Sequence, residues 1–350
     1  FHPQCLVGLT SVVLFFDPAK GTMYVPGALV PGAKSFVAWM EATNKSFVFL
    51  SNSGAKGAAG VQAKFMTPPY VLQNKQIGIN QAYTSANAVA SLLKDTAPRG
   101  SRLFIVQAVS HYGSTTDSFV RIMHKLVPAT LLNTWDWRTD MNDSTIEQWA
   151  ADSLYNHHPT FVVFSNDGQV SDEADPVTHK AGYTDWSYKL FSHAQQLLEN
   201  GAVLINQAPD AAPWPSRKKS LPGVILDTPG PGPFIQLLKS AIYPRGQNSS
   251  FCTGKGGNMG SKYMYAKGLE LLRSQGFAGT LENIAMVGDV LDTDIKGGQE
   301  FGVKTFLVLS GCGTVAEEKY YPGVKKPTCV FGSVGDIPPS AGANNAEGIV

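Results

Sequence analysis

The sequence has no long hydrophobic run and no excess of charge of one sign. The longest uncharged apolar runs, around Val12–Phe16 and Thr305–Leu309, are strand-sized, whereas a membrane helix needs about 20 apolar residues. Lysine plus arginine (28) nearly balances aspartate plus glutamate (27), for a net charge of +1. We therefore expect no transmembrane segment and no general attraction to nucleic acid or anionic membranes. A small anionic substrate needs only local charge and is not excluded.

Cysteine is scarce and unpatterned. The four cysteines, Cys5, Cys252, Cys312 and Cys329, form no C-x-x-C pair and show no metal-ligand spacing. This pattern predicts free thiols in a reducing compartment, and hence an intracellular protein. The chain begins with Phe1 instead of methionine. A removed mitochondrial or other organelle-import peptide is one explanation, and a truncated chain is the simpler one.

What the sequence does contain is an alternation of short apolar runs with helical patterns, in 350 residues that are 43% hydrophobic. This alternation predicts an α/β fold with a parallel sheet flanked by helices. The predicted strands include Val12–Phe16, Phe47–Leu50, Arg102–Val106, Thr160–Phe164, Ser250–Thr253, Ile284–Val287 and Lys304–Leu309, and the predicted helices include 32–42, 85–94, 186–200, 262–275 and 294–301. The middle of the chain has long polar segments that we interpret as elaborated loops.

Four polar elements each follow a predicted strand. They are Asp17 after "VVLFF", Ser51-Asn52 after "FVFL", Lys255 after "SSFCTG", and "GDVLDTD" with Asp289 after "IAMV". Open α/β sheets bind ligands at these strand ends. An aspartate can attack phosphorus, a hydroxyl can hold phosphate oxygens, a lysine can offset charge, and carboxylates can ligate Mg²⁺. The pattern predicts a phosphate site with a metal.

This set of motifs resembles the haloacid dehalogenase (HAD) superfamily of phosphatases. It is most similar to the branch with a large α/β cap, the phosphoglycolate and 4-nitrophenyl phosphatases. The resemblance covers most of the chain, through "FLSNSG", "YTSANAVASLL", "INQAPD" and "VGDVLDTDIKGGQEFGVKTFLVLSGCGTVAEE". It implies a Rossmann-like parallel sheet core at residues 1–99 and 215–350, the latter ending in a loose tail, with an inserted cap domain at 100–214.

The resemblance also implies roles for individual residues. It implies that Asp17 is the nucleophile and a metal ligand, Ser51 and Asn52 bind phosphate, Lys255 neutralises charge, Asp289 and Asp294 hold the metal, and Asp210 approaches the substrate from the cap. Simpler interpretations stay open from the residues alone: Asp17 as a turn cap, Lys255 as a solvated lysine, and Asp289 and Asp294 as helix caps.

Two motifs depart from the family pattern. The first is Asp-x-Asp-Gly-Thr in the family, but the chain has "DPAKGT" from Asp17 to Thr22, with Ala19 or Lys20 in place of the second acid. Loss of a general acid/base costs about 10²–10⁴ in rate, and Lys20 could repel the metal or occupy its site. The third motif has the glycine-rich loop "GKGGNMG", which we expect to place Lys255 loosely, so Lys262 is a second candidate.

Two functions follow. The first is a Mg²⁺-dependent phosphomonoesterase for a small phosphorylated metabolite, acting through a phosphorylated Asp17. The second is a non-catalytic HAD-like protein, with no cofactor, that serves as a structural subunit of an assembly in an organelle. Its protein partners would contact the cap loops "TWDWRTD" and "YTDW", although buried structural tryptophans are the default interpretation. Because the second acid is missing, the sequence favours the second function.

Overall fold

A computed structural model describes residues 13–16, 21–25, 27–52, 57–72, 77–107, 119–139, 141–155, 159–165, 188–210, 231–244, 250–311 and 323–337. The chain divides into two compact units, which are described separately. The first unit comprises Phe1–Ser51, Ala58–Tyr83 and Met264–Val350, and the second comprises Asn52–Gly57 and Thr84–Tyr263. Among the described residues, no helix has the length and apolar character needed to cross a membrane.

The strands form two sheets and a small hairpin. Their bounds are β1 Val13–Phe16, β2 Tyr24–Val25, β3 Ala28–Leu29, β4 Phe47–Ser51, β5 Ala82–Thr84, β6 Arg102–Val106, β7 Asp136–Arg138, β8 Thr160–Phe164, β9 Val203–Asn206, β10 Ser250–Cys252, β11 Ile284–Gly288, β12 Lys304–Val308 and β13 Cys329–Phe331. One sheet has the order β13-β12-β11-β1-β4-β5 and the other β10-β9-β8-β6-β7, while β2 and β3 pair as an antiparallel hairpin.

The helices alternate with these strands. Their bounds are α1 Ala33–Ala42, α2 Gly57–Phe65, α3 Ser85–Thr96, α4 Phe119–Leu126, α5 Ala129–Leu132, α6 Asp143–Tyr155, α7 Tyr188–Glu199, α8 Pro231–Ala241, α9 Ala266–Ser274 and α10 Lys296–Phe301. Five-residue π-helical turns, Ser261–Tyr265 and Leu291–Ile295, lead directly into α9 and α10. Single π turns of this kind occur often at functional sites.

The first unit contains a parallel sheet that packs against an aromatic core. β1 pairs in parallel with both β4 and β11, so Phe16 lies opposite Phe49 on one side and Val287 on the other. The rings of Phe16 and Phe36 meet edge to face at 5.1 Å between centroids, a favourable aromatic geometry. Continuous apolar strands are typical of a parallel sheet covered on both faces. The predicted α/β fold class is therefore confirmed.

The second unit contains its own parallel sheet and core. β6 pairs with β7 and β8, β8 with β9, and β9 with β10, all in parallel. Its core includes Trp149 from α6 and Leu197 from α7. Trp135 from the segment "TWDWRTD" is 5% exposed, and its indole N–H donates to the Pro98 carbonyl oxygen at 2.9 Å. The default interpretation of a buried structural tryptophan therefore holds for Trp135, and "YTDW" lies outside the described residues.

Three features differ from the expectations. The main segment of the second compact unit runs from Thr84 to Tyr263, whereas the predicted cap runs from 100 to 214. At its C-terminal side Ser250 pairs with Leu204 of β9, which places β10 in the second sheet. The segment predicted as a polar loop contains β7 and the start of α6. The prediction of free thiols is correct for Cys252 but wrong for Cys329, which is disulfide-bonded. The other two cysteines lie outside the described residues.

Candidate active site

The first unit holds a buried carboxylate at the end of its central strands. β11 ends at Gly288, and Asp289 follows with a fully buried side chain. Because β1 and β11 are parallel neighbours in register, their carboxyl ends lie at the same edge of the sheet. A carboxylate without solvent exposure needs hydrogen-bond donors or a cation to stabilise its charge. The buried Asp289 carboxylate is therefore expected to contact a specific hydrogen-bond donor or cation.

Asp289 is enclosed by a hydroxyl and two glycines, which we call the carboxylate cluster: Gly21, Thr22, Asp289 and Gly311. The Thr22 hydroxyl donates to Asp289 Oδ1 at 2.8 Å, and both side chains are fully buried. A Cβ atom added at Gly21 or at Gly311 would overlap the Asp289 carboxylate. The carboxylate thus occupies space that exists only because both neighbouring positions lack a side chain.

The backbone of Gly21 is held on both sides. Its N–H donates to the Tyr24 carbonyl oxygen at 2.6 Å, and its own carbonyl oxygen accepts from the Ser310 hydroxyl at 2.7 Å. Its φ of +119° is a conformation that glycine adopts far more readily than other residues. The "Gly-Thr" pair that ends the first motif is therefore fixed in place against Asp289.

Asp294 has a local role in the structure. Its Oδ2 accepts from the Val290 N–H at 3.1 Å, and its carbonyl oxygen accepts from the Tyr265 hydroxyl at 3.4 Å. The Asp294 carboxylate therefore bonds back to the residue that precedes the Leu291–Ile295 turn and supports that turn, but it is not the N-cap residue that the simpler interpretation expected. A metal-binding role for Asp294 stays a prediction.

The second unit holds Lys255 in a loop that is more ordered than the sequence suggested. Lys255 is fully buried, which contradicts the solvated-lysine interpretation. The Asn258 side chain accepts from the Cys252 N–H at 2.7 Å and donates to the Ser250 carbonyl oxygen at 2.9 Å, so the loop is fastened to β10. The Gly257 N–H also donates to the Gly254 carbonyl oxygen at 3.0 Å. The expectation of a loosely placed Lys255 is therefore wrong.

Asn52 contacts the backbone of Lys255 directly. The Lys255 N–H donates to Asn52 Oδ1 at 2.8 Å, and Asn52 Nδ2 donates to the Lys255 carbonyl oxygen at 3.3 Å. Nδ2 also donates to Asp210 Oδ2 at 3.3 Å. The structure thus brings together three residues predicted from different motifs. These contacts tie the Asn52 amide to Lys255 and Asp210, and a phosphate-binding role for Asn52 stays a prediction.

Two residues that the sequence did not single out lie behind Asn52. The Ser85 hydroxyl donates to the Asn52 carbonyl oxygen at 2.7 Å, and the Gln207 side chain donates to that hydroxyl at 2.9 Å. Both side chains are fully buried. Together with Asn52, Asp210 and Lys255 they form what we call the lysine cluster. The only sequence signal for them was their position in "YTSAN" and "INQAPD", two of the family landmarks.

Lys262 has a different environment from Lys255. It is exposed, its ammonium lies 4.9 Å from the centre of the Tyr263 ring, and its hydrogen bond to Tyr263 raises its pKa. The buried Tyr263 hydroxyl donates to Asp95 Oδ2 at 2.9 Å, and burial raises the pKa of Tyr263. Lys255 is therefore buried and contacts Asn52, whereas Lys262 is exposed, and the charge-neutralising role of Lys255 stays a prediction.

The remaining predicted residues are placed as follows. Ser51 is the last residue of β4 and is 1% exposed. Asp17, Ala19 and Lys20 lie outside the described residues. Thr22, Gly311, Ser85 and Gln207 were not predicted as site residues. Of these, Thr22 could have been found from the "Gly-Thr" ending of the first motif.

Comparison with known families agrees with this architecture. A model described as haloacid dehalogenase-like hydrolase matches residues 14–111, and one described as HAD-hydrolase-like matches residues 261–337. These two regions contain β1, β4, β11 and β12, and therefore the strands that position the carboxylate cluster. The matches confirm the resemblance found in the sequence.

Individual proteins match over nearly the whole chain. Dihydroxyacetone phosphatase of Corynebacterium glutamicum is 24% identical over 94% of this chain and 92% of its own. The structure of 4-nitrophenylphosphatase from Thermotoga maritima, 21% identical, has a TM-score of 0.62 and covers 94% of this chain and 97% of that one. The structure of glycerol phosphate phosphatase of Mycobacterium tuberculosis in complex with calcium, 17% identical, has a TM-score of 0.58 and covers 94% of this chain and 76% of that one. At these identities the structural likeness shows the fold alone.

Proposed function

Because this chain is a haloacid dehalogenase-like protein, we propose that it is a phosphomonoesterase for small phosphorylated metabolites. The observation that carries the proposal is the intact carboxylate cluster: Asp289 is buried, accepts from Thr22 and fits between two glycines. A buried carboxylate with this support is costly to keep without a function or a partner. The sequence favoured a non-catalytic protein, but the curated phosphatase relative, which is similar over nearly the whole chain, favours the enzyme.

The donor chemistry of the carboxylate cluster fits Mg²⁺, which prefers carboxylate and other oxygen ligands. The residues proposed to hold it are Asp289 and Asp17. Among the described residues, no group of three or more histidine, cysteine, aspartate or glutamate side chains converges, so the proposed site depends on Asp17, which lies outside them. When bound, Mg²⁺ neutralises charge on the phosphate oxygens and orients them for attack.

The proposed reaction has two steps. The Asp17 carboxylate attacks phosphorus and the ester P–O bond breaks, which gives an aspartyl phosphate and releases the alcohol. Water then attacks the aspartyl phosphate, which regenerates Asp17 and releases inorganic phosphate. The sequence resemblance, and not the arrangement of the two units, is the basis for the roles proposed for Lys255, which offsets negative charge, and for Ser51, which holds a phosphate oxygen.

The missing second acid has a consequence for substrate preference. With Ala19 or Lys20 at that position, the leaving oxygen takes its proton from water. We therefore propose that esters of acidic alcohols, such as 4-nitrophenol, react faster than alkyl esters. The second step lacks its general base, so the aspartyl phosphate is expected to accumulate. The name of the curated relative suggests three-carbon sugar phosphates as the natural substrate class.

A second candidate is the non-catalytic subunit. The observation in its favour is the sequence "DPAKGT", in which Lys20 stands next to Gly21 of the carboxylate cluster. A lysine ammonium in the place of Mg²⁺ would neutralise Asp289 and leave the fold intact. Such a protein would act through contacts with other protein subunits.

Rapid-mixing kinetics with 4-nitrophenyl phosphate distinguish the two candidates. With Mg²⁺ we expect a burst of 4-nitrophenol of about one equivalent per chain, followed by slower turnover, because the first step outpaces the second. Asp17→Asn removes the nucleophile and should abolish the burst. Asp289→Asn should reduce the burst rate by about 10²–10³-fold through loss of charge stabilisation.

The same experiment includes alkyl substrates and a restoring variant. Dihydroxyacetone phosphate and glycerol phosphate should react more slowly than 4-nitrophenyl phosphate in the natural chain. Lys20→Asp supplies a carboxylate and should accelerate hydrolysis of the alkyl phosphate esters by up to about 10²-fold. No burst, no turnover and no Mg²⁺ binding would reject the phosphatase and leave the non-catalytic subunit.

A further inference from the structure

We infer that Asn52 is a positioning residue that clamps the backbone of Lys255, and that Ser85 and Gln207 hold Asn52 in place. The role of Lys255 toward phosphate rests on the proposed function. The clamp itself rests on hydrogen bonds within the second unit.

The clamp is two-sided. A side-chain amide carries both an acceptor and a donor, and Asn52 uses them on the N–H and the carbonyl oxygen of one residue, Lys255. An aspartate at position 52 could not donate to that carbonyl oxygen, and a serine would be too short to reach both atoms. With Asn52 only 6% exposed, water does not readily replace either bond.

The loop approaches the clamp closely at Gly254. A Cβ atom added at Gly254 would lie 2.7 Å from Asn52 Oδ1 and 2.7 Å from the Gln207 carbonyl oxygen. The residue before Lys255 must therefore be glycine for the loop to approach Asn52 this closely. The glycine-rich loop serves close packing at this position, which explains why it does not leave Lys255 free.

The support behind the clamp is anchored in the sheet. The Gln207 N–H donates to the carbonyl oxygen of Phe164, the last residue of β8, at 3.0 Å. Its side chain holds the Ser85 hydroxyl, which in turn donates to the Asn52 carbonyl oxygen. Ser85 is the first residue of α3. Asn52 is thus connected to a strand end and a helix start, both of which are regular parts of the unit.

Asp210 connects the clamp to a third segment. Its Oδ2 accepts from Asn52 Nδ2, so the residue implied to approach the substrate contacts the residue that holds Lys255. Truncation of Asn52 therefore removes a partner from Lys255 and from Asp210 at the same time. Buried polar groups that lose a partner are destabilised strongly, so the Lys255 backbone is expected to relax.

Hydrogen exchange tests the clamp without any ligand. In Asn52→Ala the Lys255 amide should exchange faster by about tenfold or more, since its hydrogen-bond acceptor is gone. Asn142→Ala is the matched control, because Asn142 Oδ1 accepts from the Thr145 N–H at 2.9 Å in the same unit. It should leave Lys255 exchange unchanged. If Asn52→Ala does not fold, Ser85→Ala removes only the support and should give a smaller increase at the same amide.

Binding of inorganic phosphate then tests whether Asn52 acts through Lys255. Titration calorimetry should show that Asn52→Ala weakens phosphate binding by about tenfold, the order expected for one lost interaction. In a Lys255→Met background the same Asn52→Ala change should have almost no further effect, since coupled residues are non-additive.

The outcomes separate this inference from the proposed function. Unchanged Lys255 exchange in Asn52→Ala, or an equal loss of phosphate affinity with and without the Lys255 side chain, would overturn the clamp. Absence of phosphate binding in the natural chain would count against the proposed phosphatase, while hydrogen exchange would still decide whether Asn52 holds Lys255.

Discussion

The carboxylate cluster and the lysine cluster are built in different ways. Asp289 lies directly after a central strand and is enclosed by two glycines, at either of which a Cβ atom would overlap its carboxylate. Lys255 lies in a long loop, and its backbone is held by the Asn52 amide, which the Ser85 hydroxyl and the Gln207 amide support in turn. The Asp289 carboxylate is enclosed by glycines and accepts one hydroxyl hydrogen bond, whereas the Lys255 backbone is held by two amide hydrogen bonds in a loop that Gly254 allows to approach Asn52.

This difference predicts how each cluster responds to substitution. A steric enclosure tolerates no added atom, because the densely packed strand ends cannot move apart. A hydrogen-bonded support weakens stepwise as partners are removed, since each bond contributes about 0.5–1.5 kcal/mol. Two substitutions in the carboxylate cluster test its half of this contrast, and a third tests a single buried hydrogen bond outside both clusters for comparison, from the largest expected effect to the smallest.

Gly311→Ala should have the largest effect. The added Cβ atom would overlap the Asp289 carboxylate, so the carboxylate must move. We therefore expect the burst with 4-nitrophenyl phosphate to slow by about 10²-fold or more, as for other misplaced catalytic groups. Gly276→Ala is the control, because Gly276 has a positive φ of +95° but open space around it. The control should cost about 1 kcal/mol of stability and leave the burst unchanged. Equal kinetics in both variants would reject the steric enclosure.

Thr22→Val should have an intermediate effect. It keeps the shape of the side chain but removes the hydroxyl that donates to Asp289 Oδ1, which leaves that oxygen without this donor at a cost of about 1–3 kcal/mol. Because about 1.4 kcal/mol corresponds to a factor of ten, we expect the burst to be tenfold to hundredfold slower. Thr22→Ser retains a hydroxyl and should restore most of the rate. A Thr22→Val protein with the natural burst rate would show that the hydroxyl does not position Asp289.

Tyr263→Phe should have the smallest effect. It removes the hydrogen bond to Asp95 Oδ2 and should lower the free energy of unfolding in urea by about 1 kcal/mol at neutral pH. Burial raises the pKa of Tyr263, so the folded state favours the neutral phenol. The contribution of the neutral phenol to the free energy of unfolding is complete below the pKa of tyrosine in the unfolded chain, about 10. It is lost as the pH rises through the raised pKa of Tyr263 in the folded protein.

The pH dependence supplies the test of this last prediction. The natural chain should lose stability relative to Tyr263→Phe as the pH rises above about 10. A constant stability difference across that range would mean that the phenol does not titrate differently in the folded state. Asp95→Asn is the matched control, because it keeps a hydrogen-bond acceptor for the Tyr263 hydroxyl and should preserve most of the stability at neutral pH.

Much of the fold could be predicted because its strands are short, apolar and bounded by polar residues. β6 and β8 lie at the predicted residues, β1 lies within the predicted run, and β12 ends one residue before the predicted end. α6 was missed because its sequence follows a polar, tryptophan-containing stretch, and its burial pattern depends on packing against α7. Strand β10 was found but placed in the wrong sheet, since strand pairing is not encoded in local periodicity.

The sequence by itself determined the resemblance to the haloacid dehalogenase superfamily and the α/β class, and it led to the prediction of a phosphate site, because these follow from strand-end motifs with characteristic spacing. It could not determine which of Lys255 and Lys262 is buried, or that Asn52 contacts the Lys255 backbone. The separation of 203 positions between Asn52 and Lys255 is closed only by folding. Likewise, only the tertiary structure shows that Gly311 makes room for Asp289, because steric exclusion depends on segments brought together by the sheet.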